Sequence, residues 1–274
     1  MTTPSDSGSA DEAPDRGTVR VEYDGHVAVL TVDRPDRLNA MTNELDAQLW
    51  AALEEIFARD DVYSVLWRAE GRAFSAGRDT SQLGNRTDGA SDYHYIADGL
   101  GATERLIVPP RVPVVCAIQG WCIGGGFERA LLCDVRIAAD DARFRLPELL
   151  HGVVPDSGGT ARLFQICGPG LVSDLVLTGR VLDADEALRH GIVSRVVPRA
   201  ELDEQALEVA HAIARLPPLA VRAWRQNLND MSVPQITKSI HDELMAQMLV
   251  YQSEDFAEFK QARAEDREPK YRIT

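Results

Sequence analysis

Residues 112–133, VPVVCAIQGWCIGGGFERALLC, are the stretch that decides the fold. The apolar, β-branched run 112–119 is typical of a buried strand, and the segment 127–133 is typical of a helix. Three consecutive glycines, residues 124–126, lie between them. A helix that begins there presents unpaired backbone N–H groups and the positive end of its dipole, and a ligand oxygen can come close because glycine has no Cβ atom. The segment therefore predicts either a tight strand-to-helix turn or an anion-binding helix start.

A second glycine-containing loop, AFSAGRD at residues 73–79, follows the predicted strand 62–67. This loop can present another backbone N–H group. Two such donors from separate loops are what an oxyanion hole for a thioester enolate requires. We expect Asp79 chiefly to close its own loop by accepting backbone hydrogen bonds.

Outward from these loops, strands and helices alternate along the chain. A hairpin is predicted at 19–23 and 26–32, because Asp24-Gly25 separates two β-rich runs. Thr42 or Asn43 is expected to cap a helix. The buried face of that helix is predicted to carry Leu45, Leu49, Leu53, Ile56 and Phe57.

The second half of the chain is predicted to be mainly helical. Strands are expected at 135–138, 144–146 and 192–197, and helices at 160–167, 171–177, 183–190, 201–214 and 234–265. Strand–helix alternation followed by helices predicts an α/β core with a helical appendage. The expected division is an acidic, disordered tail (1–17), the core (18–200) and a C-terminal helical region (201–274).

The composition limits the kinds of function. Among 274 residues, 45% are hydrophobic, and 43 acidic against 29 basic residues give a net charge of −14. This charge argues against a general nucleic-acid or anionic-membrane surface, and the apolar runs are too short to span a bilayer. The tail has no apolar segment of the signal-peptide kind, so we expect a cytoplasmic protein. Four cysteines lie in apolar stretches without metal-ligand spacing, and we expect buried hydrophobes and no metal site at Cys116, Cys122, Cys133 and Cys167.

Three acidic residues are candidates for proton transfer. Glu128 comes three residues after Gly125, so it projects from the same face of the new helix. It lies among apolar residues, where burial of a carboxylate is costly unless the group is used or paired. Glu148 is flanked by apolar residues too. For Asp156, an Asx-turn or helix cap and a catalytic role are equally good explanations, whereas His151 is expected to be structural.

Taken together, these segments resemble the crotonase family, also called the enoyl-CoA hydratase/isomerase family. The resemblance runs from residue 19 to residue 271, and its motifs are highly specific in this order and spacing. They are RP at 34–35, NA at 39–40, AFSAGRD at 73–79, GWCIGGGFE at 120–128, CD at 133–134, F at 144 with PE at 147–148, GGT at 158–160 with RL at 162–163, LTG at 177–179 and SED at 253–255. The resemblance implies a spiral of repeated ββα turns, a C-terminal helical trimerisation region, trimers or pairs of trimers, and an acyl-CoA thioester substrate.

The resemblance also implies roles for individual residues. The oxyanion-hole N–H groups would be those of Arg78 and Gly125, and the long Arg78 side chain, unusual at this position, is expected to shape the acyl pocket or to meet a phosphate. Glu128 and Glu148 match the two glutamates with which family hydratases hold a water molecule. Substrate or CoA binding is expected at Arg34, Arg37, Ala40, Arg72, Ala76, Asp79, Trp121 and Gly124. No cofactor is implied, because CoA is part of the substrate.

The C-terminal stretch departs from the family pattern at three positions. Phe259, Arg263 and Asp266 stand where the family usually has glycine, phenylalanine and lysine. The last two positions often touch CoA across a subunit boundary, so the resemblance does not extend securely to this contact. Arg263 could supply the missing positive charge.

The predicted function is the syn addition of water to a 2-enoyl-CoA. One alternative is a double-bond isomerase that acts on an enoyl- or dienoyl-CoA through Glu148 and Asp156, because an acid at the second position resembles the dienoyl-CoA isomerases. Another is a catalytically idle acyl-CoA-binding protein, which two intact glutamates argue against. The acyl group is not specified, although the polar, glycine-rich segment 82–102 is expected to cover its pocket as a flap.

Overall fold

Ten β-strands and seven α-helices occur among residues 17–82 and 112–272, which are the part of the chain that this computed structural model describes. The strands are β1 (Thr18–Asp24), β2 (Val27–Asp33), β3 (Ser64–Ala69), β4 (Ala73–Ser75), β5 (Val114–Ile118), β6 (Trp121–Ile123), β7 (Val135–Ala139), β8 (Arg143–Arg145), β9 (Leu182–Asp183) and β10 (Arg195–Val197). The helices are α1 (Asn43–Ala58), α2 (Gly125–Leu132), α3 (Gly159–Thr178), α4 (Ala184–Arg189), α5 (Leu202–Ala214), α6 (Pro218–Tyr251) and α7 (Glu254–Ala264).

The strands form two sheets, of six and four strands. The larger sheet has the order β1-β2-β3-β5-β7-β10 and is parallel except for the β1–β2 hairpin. The smaller sheet has the order β4-β6-β8-β9, in which only the β8–β9 pair is antiparallel. Successive strands therefore pass from the large sheet to the small one, and a helix usually leads back. This is the repeated ββα spiral that the sequence predicts.

The centre of the large sheet is buried on both faces. In β5, Val114, Cys116 and Ile118 belong to the main core, whereas Val115 and Ala117 face the second core cluster, which includes residues of α5. Burial on both sides explains why this strand is a continuous apolar run rather than an alternating one.

Helix α1 forms as its sequence predicts. The Thr42 hydroxyl oxygen accepts a hydrogen bond from Leu45 N at 3.2 Å, which satisfies one of the unpaired amides at the helix start. Leu45, Leu49, Leu53 and Ile56 are fully buried. Their spacing places them on one face, against the main core.

Only one strand of the smaller sheet, β8, was predicted from the sequence, at 144–146; the other three were not. Strands β4 and β6 lie in segments that we expected to be loops, because runs of three residues are too short to show a period. They form because parallel pairing along the sheet satisfies their backbone groups: β4 pairs with β6, and β6 with β8. The sheet matters for function because both glycine loops leave from it.

Several element boundaries also differ from prediction. The predicted helices 160–167 and 171–177 both form, and the range given for α3 contains the two of them on either side of the non-helical residue Gly168 (φ 75°, ψ 175°). Helix α6 begins at Pro218 and continues through Pro234, where we placed a helix start. A second helix, α7, then begins at Ser253, whose hydroxyl oxygen accepts a hydrogen bond from Phe256 N at 3.1 Å.

The flap predicted at 82–102 lies outside the described residues except for Gln82, and so does the tail except for Gly17. Within the described ranges, no helix is both long and apolar enough to cross a bilayer.

Candidate active site

The start of α2 is shaped by three glycines in different environments. Gly124 has φ +54° and ψ −132°, a conformation open to glycine and rare in other residues, and its N–H donates to Arg145 O at 3.0 Å. A Cβ atom at Gly126 would lie 2.6 Å from Ser75 Cβ, so the helix packs tightly on β4. Gly125, between them, is partly exposed, and among the described residues a Cβ atom there would have no neighbour within 4 Å. The space beside its Cα atom is therefore open in this part of the structure.

The loop 76–79 lies against this helix start. Gly77 has φ +81°, and a Cβ atom on it would lie 2.7 Å from Ile123 O and 3.5 Å from Gly125 N. The loop is held from the other side by Met41, whose N–H donates to Gly77 O at 2.8 Å and whose carbonyl accepts from Asp79 N at 2.9 Å. Only a residue without a side chain lets the two loops meet at this distance.

Buried Asn39 connects the motif at 34–40 to the same loop. Its Nδ2 donates to the carbonyls of Glu70 and Ala73, both at 2.8 Å, and its carbonyl accepts from Ser75 Oγ at 2.9 Å. The Ser75 hydroxyl oxygen in turn accepts from Gly77 N at 3.1 Å. The motif therefore fixes the position of the loop through side-chain hydrogen bonds to its backbone.

Two backbone amides remain available where the loops meet. Across residues 17–82 and 112–272, neither the Arg78 N–H nor the Gly125 N–H donates a hydrogen bond to another protein group. Because Gly77 lies beside Gly125, these two donors belong to one small region. Two backbone donors in one small region can bind a developing oxyanion, and that they do so here stays a prediction.

Glu128 is buried one turn into α2, with 1% of its surface exposed. Its Oε1 accepts from the amides of Ser157 and Gly159, both at 3.3 Å. Burial raises the pKa of Glu128 well above its ordinary value of 4.5, and the nearby carboxylates of Glu148, Glu243 and Asp156 raise it further. Burial and the nearby carboxylates favour the protonated form of Glu128, whereas the backbone donors favour its ionised form.

Glu148 lies beside the glycine turn, in a 3₁₀ turn after β8. Its Oε1 lies 2.9 Å from the position that a Cβ atom on Gly124 would occupy, and within the described residues its Oε2 has no hydrogen-bond partner. Burial is the main reason that its pKa rises from 4.5 to about 7, with Asp156 adding to the rise. The carboxyl group therefore changes charge near neutral pH.

Asp156 and Glu243 complete a group of four acids. Asp156 is partly exposed and lies close enough to raise the pKa of both Glu128 and Glu148. Glu243, on α6, accepts from Gly158 N at 3.0 Å, and burial is the largest cause of its raised pKa. Sequence analysis missed Glu243, because on its helix it is one acid among several with no motif around it. Only the contact between α6 and the turn at Gly158 reveals it.

The predicted CoA-binding residues divide into two groups. The Arg34 guanidinium is buried and donates to Asp79 Oδ2 at 2.9 Å and to Ala40 O at 2.8 Å. Burial would raise the pKa of Asp79, but hydrogen bonds from Arg34 and Ser81 hold it below its ordinary value. These contacts close the loop, in the role that the sequence predicts for Asp79.

Five of the remaining members of the predicted set lie at or near the surface, whereas Gly124 is buried. Arg37 and Arg72 are exposed, Ala40 and Ala76 are partly exposed, and Trp121 is 37% exposed. Their binding of CoA stays a prediction. Arg263, the departure noted in the C-terminal stretch, donates to Thr80 Oγ1 at 3.1 Å, next to the loop 76–79.

Two further side chains, those of Arg78 and His151, contact other residues of the chain. The Arg78 guanidinium contacts Asp46 and Asn43 on α1. That it shapes the acyl pocket or meets a phosphate stays a prediction. The His151 ring packs edge-on against Phe259 with centroids 5.9 Å apart, and burial lowers its pKa. His151 is therefore a packed side chain, as predicted.

Comparison with known proteins agrees with this geometry. The sequence matches the enoyl-CoA hydratase/isomerase family over residues 22–273, and the chain belongs to that family of enzymes. A probable enoyl-CoA hydratase of Mycobacterium bovis is 34% identical over 254 residues, which cover 93% of this chain and 97% of the relative. A carnitinyl-CoA dehydratase of Salmonella arizonae is 38% identical over 264 residues, which cover 93% and 98%.

The solved structures of the family have the same fold. An enoyl-CoA hydratase/isomerase from Pseudoalteromonas atlantica superposes with a TM-score of 0.82 at 29% identity, over 93% of this chain and all of the other. An enoyl-CoA hydratase from Mycobacterium avium subsp. paratuberculosis gives a TM-score of 0.81 at 26% identity, over 93% and 98%. The predicted crotonase fold is therefore confirmed.

Proposed function

We propose that this protein is an enoyl-CoA hydratase that adds water across the double bond of a 2-enoyl-CoA. The observation that carries the proposal is that two buried glutamates with raised pKa values, Glu128 and Glu148, flank the glycine turn that presents the Gly125 amide. Two adjacent carboxyls that share a proton are what hydration needs, since one must accept a proton and the other must give one.

The reaction follows from the positions of these groups. The thioester oxygen is bound by the Arg78 and Gly125 amides. The ionised carboxyl of the Glu128–Glu148 pair removes a proton from water, whose oxygen bonds to Cβ while the π electrons move onto the thioester oxygen as an enolate. The protonated carboxyl then gives its proton to Cα as the enolate collapses. The amides favour the enolate because they already point at the oxygen on which charge develops.

The isomerase alternative rests on Asp156. This side chain influences the pKa of Glu148, so the two acids could pass a proton between carbons of a conjugated acyl chain. Hydration is the stronger proposal because Glu128 is the more deeply buried acid and is held by two amides. Hydration also accords with the relatives whose names are hydratase and dehydratase. An idle binding protein would have no use for buried acids that cost stability.

The distinguishing experiment offers the purified protein crotonyl-CoA, a 3-enoyl-CoA and a 3,5-dienoyl-CoA and identifies the products. We expect hydration of crotonyl-CoA that is lost in Glu128→Gln and in Glu148→Gln but is retained in Asp156→Asn. The matched control is Glu55→Gln, which changes an exposed glutamate on α1. Dominant isomerisation that needs Asp156 but not Glu128 would replace the hydratase proposal by its alternative. Binding of all three thioesters without turnover would favour the idle binder.

The proposal includes trimers or pairs of trimers, a cytoplasmic location and no cofactor besides the CoA of the substrate. Helix α6 supports the assembly, because it exposes Leu219, Trp224, Met231 and Leu249, each more than 60% accessible. Large apolar side chains on one helix are commonly covered by another subunit. Light scattering should give three or six times the chain mass of 30.1 kDa, and a monomer would contradict this part of the proposal.

A further inference from the structure

One carboxylate, that of Asp46, lies between the two loops that supply the oxyanion donors. Asp46 is in the first turn of α1 and its side chain is 15% exposed. Its Oδ2 accepts from Arg78 Nη1 at 2.9 Å, and its Oδ1 accepts from Arg129 Nη1 at 2.6 Å. Neither contact was anticipated from the sequence.

Each arginine belongs to one half of the hole. Arg78 carries the first amide, and its guanidinium also donates to the Asn43 side chain, so that residue is fixed to the start of α1 at two points. Arg129 follows Glu128 in α2, one turn after the Gly125 amide, and its guanidinium stacks on the Trp50 ring at 5.2 Å. Asp46 is thus bonded to both halves at once.

We propose that Asp46 is a positioning residue that sets the distance between the Arg78 and Gly125 amides through this shared pair of ion contacts, here called the Asp46 clamp. The inference rests on the proposed enolate-stabilising function of the two amides. It explains why an arginine can stand at position 78. The side chain contacts Asn43 and Asp46 on α1.

The clamp differs from an ordinary surface ion pair. The Arg129 side chain is only 16% exposed, and Asp46 lies at the positive end of α1, so the charges are partly shielded from water and favourably placed. Both carboxylate oxygens of Asp46 accept hydrogen bonds, Oδ2 from Arg78 in the loop 76–79 and Oδ1 from Arg129 on α2. Loss of the carboxylate would free two backbone segments whose separation must be held closely, since small misplacements of catalytic donors cost large factors in rate.

The test uses Asp46→Asn and two measurements. For hydration of crotonyl-CoA, we expect kcat to fall roughly 10- to 100-fold with a much smaller change in KM, because the amides act mainly on the transition state. The second measurement is a pH titration of bound acetoacetyl-CoA, whose enolate absorbs in the near ultraviolet. Asp46→Asn should raise the apparent pKa of the bound β-keto thioester towards its value in free solution.

The control is Asp134→Asn, which removes the partner of another buried arginine. Asp134 Oδ1 accepts from Arg225 Nε at 2.6 Å, and Asp134 lies just past the far end of α2. It should lose stability but keep kcat and the bound-enolate pKa. If Asp46→Asn fails to fold, Arg78→Met removes one arm of the clamp at a side chain that is 32% exposed, and the same kinetic and spectroscopic changes are expected.

Three outcomes would contradict the clamp. Wild-type kcat and enolate pKa in Asp46→Asn and Arg78→Met would overturn it while leaving the proposed function intact. Equal losses in Asp46→Asn and Asp134→Asn would show a general effect of broken ion pairs. A wild-type protein that neither hydrates crotonyl-CoA nor favours the acetoacetyl-CoA enolate would overturn the proposed function, and the clamp with it.

Discussion

Replacing Glu148 by glutamine should stabilise the protein at alkaline pH while it abolishes hydration. The folded protein holds the Glu148 proton up to about pH 7, whereas an unfolded glutamate releases it near its ordinary pKa of 4.5. The unfolded state therefore loses its proton first as the pH rises, and the folded state is progressively disfavoured between these values. Glutamine cannot ionise, so it removes this pH-dependent penalty.

The magnitude follows from the same two values. A difference of about 2.5 pKa units, at about 1.4 kcal/mol per unit, amounts to about 3 kcal/mol above pH 7. This gain is partly offset, because the glutamine amide takes the place of Oε2, which has no hydrogen-bond partner in the described residues. A buried amide without a partner lowers the free energy of unfolding by about 1 kcal/mol or more. We expect Glu148→Gln to be more stable than wild type by about 2 kcal/mol at pH 8 and by little or nothing at pH 5.

Urea unfolding followed by tryptophan fluorescence at pH 5 and pH 8 measures this difference, with all proteins at one concentration because association adds to stability. The exposed residue Glu55 again provides the control, since Glu55→Gln should change the free energy of unfolding by the same amount at both pH values. A change in the free energy of unfolding that is the same at pH 5 and pH 8, or a loss of stability at pH 8, would refute the assignment of Glu148 as a buried acid with a raised pKa.

Three further predictions address the same site. The profile of kcat/KM against pH should be bell-shaped with one limb near pH 7, since Glu148 changes charge there, and a flat profile from pH 6 to 8 would contradict this. Glu243→Gln should move the limb of the kcat/KM profile that reports Glu128 to lower pH, because removal of a neighbouring negative charge lowers the pKa of Glu128. A limb at the wild-type pH would show that Glu243 does not affect the pKa of Glu128. Gly159→Ala should destabilise the fold by about 1–3 kcal/mol, because its Cβ atom would lie 2.5 Å from Glu128 Cα. Gly125→Ala should fold normally, since no described residue lies within 4 Å of the new Cβ atom, and equal melting temperatures for the two variants would argue against this packing.

Local signals in the sequence were sufficient for the first half of the site. The helix start at 124–126, the cap at Thr42 and the placement of Glu128 one turn after Gly125 depend on residues three or four positions apart, and helix geometry alone relates them. The order of the motifs predicted the crotonase fold, which is confirmed by the structure and by the family match. Position 148 was predicted from its motif and its apolar neighbours.

What the sequence by itself determined is the strand–glycine–helix turn and the acids next to it, because these follow from short-range geometry. Only the tertiary structure decided which distant groups complete them. Asp46 and Arg129 are 83 residues apart, and Gly158 and Glu243 are 85 apart. No periodic pattern links such pairs, since they meet only when α1 packs against the β1–β2 hairpin and α6 packs against α3. The glycine turn could therefore be predicted from the sequence, whereas the charged side chains that contact it and shift the pKa values of its acids could not.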